Sequence, residues 1–122
     1  MSSFVPSVIQ SAPGVYAWAH HDDVVYLAAA PSGLRSRIRT HLGTATDLSR
    51  SAFRRAVAKH VLETGPASSG KRTRTLNAQD VAVVNAWVRE CSVGWIETTN
   101  ADEARELEEH LLSQHQPLLN RR

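Results

Sequence analysis

The residue hardest to explain as ordinary surface is Glu108. Along the last apolar stretch, Ala104, Leu107, Leu111 and Leu112 recur at helical spacing and define one stripe. At about 100° per residue, Glu108 falls inside that stripe, whereas Glu109 falls nearly opposite it. A carboxylate on a buried face is costly unless it is paired with a cation or bound to a metal. Glu103, Glu106 and Glu109 read as a solvated face and need no partner. A salt bridge to an arginine at the edge of the core is the plainer use of Glu108, and a metal is the chemical one.

Arg37 and His41 form a second pair of interest. Leu34, Ile38 and Leu42 are four apart and mark the core side of a short helix. Arg37 precedes the core position Ile38, and His41 lies one turn further along. The planar guanidinium suits a two-point contact with phosphate. His20-His21-Asp22-Asp23 has the composition of a metal site, but four sequential loop residues rarely converge on one ion, so a polar hairpin tip is expected. His60, His110 and His115 read as structural or solvent-facing, with His60 beside Lys59 on a basic helix.

The charge is unevenly spread. The chain of 122 residues carries a formal net charge of +2. From Arg35 to Arg74 ten basic residues face only Asp47 and Glu63: Arg35, Arg37, Arg39, Arg50, Arg54, Arg55, Lys59, Lys71, Arg72 and Arg74. Between Ala101 and His110 five acids face Arg105 alone. A basic middle suits a polyanion such as nucleic acid. The length fits one domain, expected over 1–122, and no apolar run is long enough to span a bilayer. The N-terminus does not read as a secretory signal, and Cys91 as the only cysteine excludes an intramolecular disulfide or a multi-cysteine zinc site. A cytoplasmic protein is expected.

The elements that must position these residues follow from patterning. After the turn Pro13-Gly14, Val15–Ala19 and Val24–Ala29 read as two strands paired through a loop of about four residues. Pro31-Ser32-Gly33 breaks the chain before a helix over Leu34–Leu42. Ser49 or Ser51 caps a second helix running to about Leu62, with Phe53, Val57 and Val61 on one face. Thr64–Thr75 reads as a loop rich in Gly, Ser, Lys and Arg. Asn77 caps a third helix to about Cys91, Ser92–Thr99 is a third strand, and Asn100 caps a fourth helix that ends before Pro117. The expected class is α+β, a small three-stranded antiparallel sheet flanked by helices in the order β-β-α-α-α-β-α.

On these residues the chain resembles the GIY-YIG nuclease superfamily. Pro13-Gly14-Val15-Tyr16 and Val25-Tyr26-Leu27-Ala28 are similar to the two halves of its signature. Leu34–Leu42 is similar to its arginine helix, in which the arginine stands four residues before a histidine or tyrosine. Glu103–Glu108, Leu111-Leu112, Pro117 and Asn120 resemble the end of the excision-repair endonuclease domain of that family. The likeness is weakest from about Asp47 to Cys91, and residues 43–91 are expected as a helical and basic-loop insertion.

The resemblance implies a metal-dependent endonuclease hydrolysing phosphodiester bonds, most simply in DNA, in repair, restriction or mobile-element biology. It implies Tyr16, Tyr26, Arg37, His41 and Glu108 as catalytic residues, with Glu108 as the protein ligand of Mg²⁺ or Mn²⁺. Arg35, Arg39, Arg54, Arg55, Lys59, Lys71, Arg72, Arg74 and Asn120 are the expected nucleic-acid contacts, acting on phosphates rather than bases. For Asn120 a bond to the protein backbone that helps hold the site is the other reading. A monomer or a homodimer satisfies the chemistry, and no membrane partner is expected. Ala28 departs from the motif, which carries glycine there. That departure keeps open an alternative, a nucleic-acid-binding module of the same fold with weak or no catalysis.

Overall fold

The computed structural model describes residues 11–62 and 75–120. Its elements are β1 (Gly14–His20), β2 (Asp23–Ala30), α1 (Leu34–His41), α2 (Ala52–Leu62), α3 (Ala78–Arg89), β3 (Cys91–Glu97) and α4 (Ala101–Gln114). This is the order read from the sequence. The chain falls into two compact units, one made of Met1–Arg39 with Cys91–Arg122 and the other of Thr40–Glu90.

In the first unit the three strands form one antiparallel sheet in the order β2-β1-β3. The central strand β1 is apolar almost throughout, and Val15, Tyr16, Trp18 and Ala19 are buried. Alternation places Gly14, Tyr16 and Trp18 on one face, opposite Ala30, Ala28 and Tyr26 of β2. Gly14 is required by space: a Cβ there would run into the Ile96 carbonyl oxygen and the Leu34 side chain. Leu34 and Ile38, the apolar positions of α1, are fully buried. Asn100 caps α4 by accepting the Glu103 N–H at 2.8 Å, and Glu103 accepts the Thr99 N–H at 2.8 Å in return.

The β1–β2 connection is tighter than the four-residue loop expected. His20 and Asp23 are paired, so the turn consists of His21 and Asp22 alone. Both have positive φ, 51° and 72°, as a two-residue hairpin turn of the right twist demands. Aspartate tolerates that region, which is why the turn closes without glycine.

The outer edge of β2 is covered by the C-terminal segment. Val25, Leu27 and Ala29 aim their backbone groups away from β1, and each meets a partner. Leu119 N–H donates to the Val25 carbonyl at 2.8 Å. The Asn120 amide accepts from Leu27 N–H and donates to Leu27 C=O, both at 2.7 Å. Glu108 Oε2 accepts from Ala29 N–H at 3.0 Å. An edge strand that would otherwise offer unpaired groups is thereby closed by two side chains and one amide.

In the second unit α2 and α3 pack through Phe53, Val57 and Ala58 against a face that includes Val81, Val84 and Val88. Ser51, rather than Ser49, caps α2, accepting the Arg54 N–H at 3.0 Å. Asn77 caps α3 by accepting the Asp80 N–H at 2.7 Å.

Candidate active site

Tyr16 sits at the centre of the first unit's polar cluster. Its position on the middle strand buries it to 2% exposure. The Tyr26 ring lies 6.4 Å away, centroid to centroid, inclined at 40°. This is the diagonal neighbour that the register predicts, since Tyr16 stands directly opposite Ala28. Burial pushes the Tyr16 phenol well above its ordinary value, and the Tyr26 phenol raises it further. Arg37 pulls it down and Glu108 raises it again. Tyr26, Arg37 and Glu108 therefore lie near enough to bias the proton of the Tyr16 hydroxyl. At neutral pH that hydroxyl keeps its proton, and only added positive charge would loosen it.

Glu108 is half-buried, while Glu103, Glu106 and Glu109 are exposed, as the helical stripe required. No ion pair holds its carboxylate among the described residues. Instead its Oε2 takes the Ala29 amide, which fixes the group and leaves Oε1 and the second lone pair of Oε2 available. An oriented carboxylate in the neighbourhood of a buried phenol is a hard oxygen donor of the kind Mg²⁺ or Mn²⁺ takes, with water and substrate oxygens able to fill the remaining positions. The residues fit such an ion.

Ala28, the departure from the family motif, lies on the Tyr16 face and is half-buried. Its backbone is not in the left-handed region, so alanine costs no strain there. What the methyl changes is space beside the Tyr16 ring.

The remaining expected residues divide sharply. Asn120 spends its amide on the Leu27 backbone, the first of its two expected uses, and is a clamp on β2. Arg54, expected to face nucleic acid, is turned inward. It is 2% exposed, and its guanidinium donates to Ala45 C=O at 2.8 Å and Asn85 Oδ1 at 2.9 Å. Asn85 in turn donates to Thr44 C=O at 3.2 Å, so this cation and its partner tie Thr44 and Ala45 to α2 and α3. Burial lowers the hold of Arg54 on its proton, and its Nε has no partner among the described residues. Arg55 is partly committed too, donating to the Leu48 and Ser49 carbonyls. Arg37, Arg39 and Lys59 are exposed and Arg35 is half-buried. Lys71, Arg72 and Arg74 lie outside the described residues.

His41, the last residue of α1, is 1% exposed. Its Nδ1 lies 2.6 Å from Ser51 Oγ, and its ring meets Phe53 edge-on at 5.9 Å. His60 packs edge-on against Trp87 at 5.8 Å. Ser51 is legible in the sequence only as a helix cap, because nothing in a ten-residue separation announces a contact with His41. The Ala29 amide, a backbone group, carried no signal at all.

A three-stranded sheet with its tyrosines, an arginine helix and a carboxylate helix closing the β2 edge defines a class of catalytic domain. The chain belongs to the GIY-YIG catalytic domain family, whose model matches residues 6–122. Its fold is similar to the GIY-YIG N-terminal endonuclease domain of UvrC from Thermotoga maritima. A tyrosine-to-phenylalanine mutant of that domain, bound to its catalytic divalent cation, aligns with a TM-score of 0.55 at 18% identity, covering 96% of this chain and 91% of that one. The same domain bound to magnesium aligns with a TM-score of 0.53 at 18% identity, covering 95% and 91%. No curated protein sequence matches the chain significantly. No helix among the described residues is long and apolar enough to cross a membrane.

Proposed function

We propose that this domain is a divalent-metal-dependent endonuclease that hydrolyses phosphodiester bonds in DNA. The observation that carries the reading is the Glu108 carboxylate, held by the Ala29 N–H with lone pairs to spare, in the electrostatic neighbourhood of Tyr16, which also takes in Arg37 and Tyr26. Glu108 is the protein ligand of Mg²⁺ or Mn²⁺, the cation that the UvrC domain binds as its catalytic ion and that in one structure is magnesium. Such an ion, when bound, neutralises charge on the phosphate and acidifies water.

The other steps belong to the chain. Arg37, exposed on α1, clamps the scissile phosphate with its planar fork and offsets charge that develops in the transition state. Tyr16 orients the attacking water through its oxygen lone pairs. To act as base it would first release its own phenolic proton to solvent, which a bound divalent cation and Arg37 would favour. Only the resulting phenolate would take a proton from that water. Tyr26 holds a phosphate oxygen from the neighbouring strand. His41 belongs to the same machinery through its place four residues after Arg37 on α1. Arg35, Arg39 and Lys59, with Lys71, Arg72 and Arg74, contact backbone phosphates without reading sequence. The setting is cytoplasmic, in repair, restriction or mobile-element biology, and the working form is a monomer or a homodimer.

Ala28 favours a second reading, a nucleic-acid-binding module whose cutting is weak, since its methyl occupies the Tyr16 face. Plasmid and single-stranded DNA incubated with Mg²⁺ or Mn²⁺ separate the two. The nuclease cuts, and its Arg37→Ala and Glu108→Ala variants do not. Cutting that is equal in all three proteins, or absent in all, defeats the nuclease reading. An Ala28→Gly variant that alone gains activity supports the module.

A further inference from the structure

Tyr16 has two neighbours across the sheet, a methyl on one side and an indole on the other. Ala28 of β2 and Trp95 of β3 both stand directly opposite it. The backbone groups of Leu27 and Ala29 aim away from β1, so those of Ala28 aim at Tyr16. The Tyr16 backbone is thereby spent toward β2. Tyr16 and Trp95 are then a non-hydrogen-bonded pair, the kind in which facing side chains stand closest. Alternation puts Val93, Trp95 and Glu97 of this edge strand on the Tyr16 face. Exposure rises along them: Val93 is 2% exposed, Trp95 is half-buried and Glu97 is exposed. Trp95 thus stands where the closed part of the face gives way to the open part. Among the described residues its indole has no hydrogen bond or ring contact.

Beside a phosphodiester bond such a surface meets either a phosphate or a base, and charge chooses between them. Glu97, the next residue outward on the face, carries an exposed carboxylate with no ion pair among the described residues. That charge disfavours a phosphate there. A half-open indole suits the flat face of a base. The phosphate belongs on the other side of Tyr16, where Glu108 is held against β2.

We propose that Trp95 stacks the nucleobase next to the scissile phosphate, so that the domain takes DNA in which that base is unpaired, a single strand or a duplex interrupted at the cut. In a continuous duplex each base is covered by its neighbours, and reaching the indole costs unstacking. Stacking reads no sequence, since every base has a π face. The place of the phosphate rests on the nuclease reading of the domain, whereas stacking itself requires no cutting.

The test uses the whole chain at neutral pH, first with divalent metal withheld by EDTA. An oligothymidylate and an abasic strand of equal length carry the same phosphates, and only the first has bases. Tryptophan emission is expected to fall on adding oligothymidylate and to stay level on adding the abasic strand. The fall is lost in Trp95→Phe, which assigns it to Trp95. Trp95→Phe keeps an aromatic face and binds oligothymidylate nearly as the parent does. Trp95→Leu keeps apolar bulk without a ring and weakens that binding by about 5- to 150-fold, the range for one lost stacking aromatic. Both variants bind the abasic strand like the parent. With Mg²⁺ or Mn²⁺ restored, single-stranded DNA is cut with a higher kcat/KM than a continuous duplex of the same sequence, and Trp95→Leu removes that preference. Thermal unfolding identifies a variant that does not fold, and the parent's emission with the two strands then decides alone.

Equal quenching by both strands, or a folded Trp95→Leu that binds oligothymidylate like the parent, overturns the proposal. So does a continuous duplex cut better than the single strand. Base-dependent quenching in a chain that cuts no DNA with either metal retains the stacking role of Trp95 and loses the nuclease reading. Cutting that Trp95→Leu leaves unaltered does the reverse.

Discussion

Along the outer edge of β2 and along the start of α2, polar side chains are spent on the same task, satisfying backbone groups, with opposite consequences. At the β2 edge Glu108 gives one oxygen to the Ala29 amide and keeps the other, while Asn120 relieves it of the neighbouring Leu27 groups. The strand is closed and a carboxylate remains, oriented and with capacity left over. At the start of α2, Arg54 and Arg55 give their guanidinium hydrogens to the Ala45, Leu48 and Ser49 carbonyls and to Asn85. What Arg54 has left over, its unpartnered Nε included, is enclosed, since the residue is 2% exposed. A charged residue is available for chemistry when the capacity its structural duty leaves over still reaches solvent, and unavailable when burial encloses what is left.

The sharpest way to break this contrast is Glu108→Gln. The amide oxygen of glutamine still accepts the Ala29 N–H, so the edge stays closed, but the charge is gone. Cleavage is expected to fall by about 10²- to 10³-fold or more, the scale for losing a group that stabilises transition-state charge. Stability is expected to change by less than about 1 kcal/mol, since the hydrogen bond persists. Gel-based cleavage rates with urea unfolding measure both. A Glu108→Gln protein that unfolds readily and cuts normally when folded would make Glu108 a structural clamp like Asn120.

The arginines supply the converse. Arg54→Ala removes a buried cation and strands the Ala45 carbonyl and the Asn85 amide, at a cost of about 2–4 kcal/mol. Its folded protein is expected to bind DNA with the parent's dependence on salt. Arg39→Ala, at an exposed position, leaves stability within about 0.5 kcal/mol. It lowers the slope of log affinity against log salt by about 0.9, one phosphate contact. An Arg54→Ala variant with a reduced salt slope and parental stability would return that residue to the DNA-facing set.

How much of this was legible beforehand follows the same division. The strands and helices were readable because apolar period and capping residues agreed at each, Asn77 and Asn100 most clearly. The choice of Glu108 over its neighbours was readable too, because a helix fixes which of four consecutive residues turns inward. Arg54 was misjudged for a corresponding reason: it follows Phe53 directly, and a long side chain at the margin of a buried face can fold in as well as out. Its burial is decided by Asn85, thirty-one residues away, which no local pattern reports. Asn120 carried two readings, backbone and phosphate, and only the strand register at Leu27 chooses between them. The turn at His21-Asp22 was missed because neither residue is the glycine or asparagine that usually marks positive φ.

Tyr16 offers a milder probe of the first region through pH. Its phenol is held above the ordinary value by burial first and by Tyr26 next. The folded state therefore binds this proton more tightly than the unfolded chain. The stabilising contribution is complete below the unfolded value of about 10 and is lost as pH rises beyond it toward the folded value. Unfolding free energy measured from pH 8 to 11 is expected to decline above pH 10 in the parent. Tyr16→Phe, which has no phenol to ionise, is expected to decline less. Parallel curves for the two proteins would remove Tyr16 as the site of that proton.

The smallest effect separates strain from function at the hairpin tip. His21 and Asp22 both occupy the left-handed region, where an L-residue is disfavoured, and a two-residue turn of this hand prefers Asn-Gly. Replacing the pair by His21→Asn with Asp22→Gly relieves the strain but adds the freedom of glycine to the unfolded chain, so the net gain is expected at about 0.5 kcal/mol. The register His20↔Asp23 is unchanged by the replacement, and so are Tyr16 and Tyr26 further down the strands. DNA cleavage should accordingly stay at the parent rate while the unfolding midpoint rises. Loss of cutting in the more stable variant would show that His21 or Asp22 serves the reaction directly, and that the strain at this turn is retained for more than closing the hairpin.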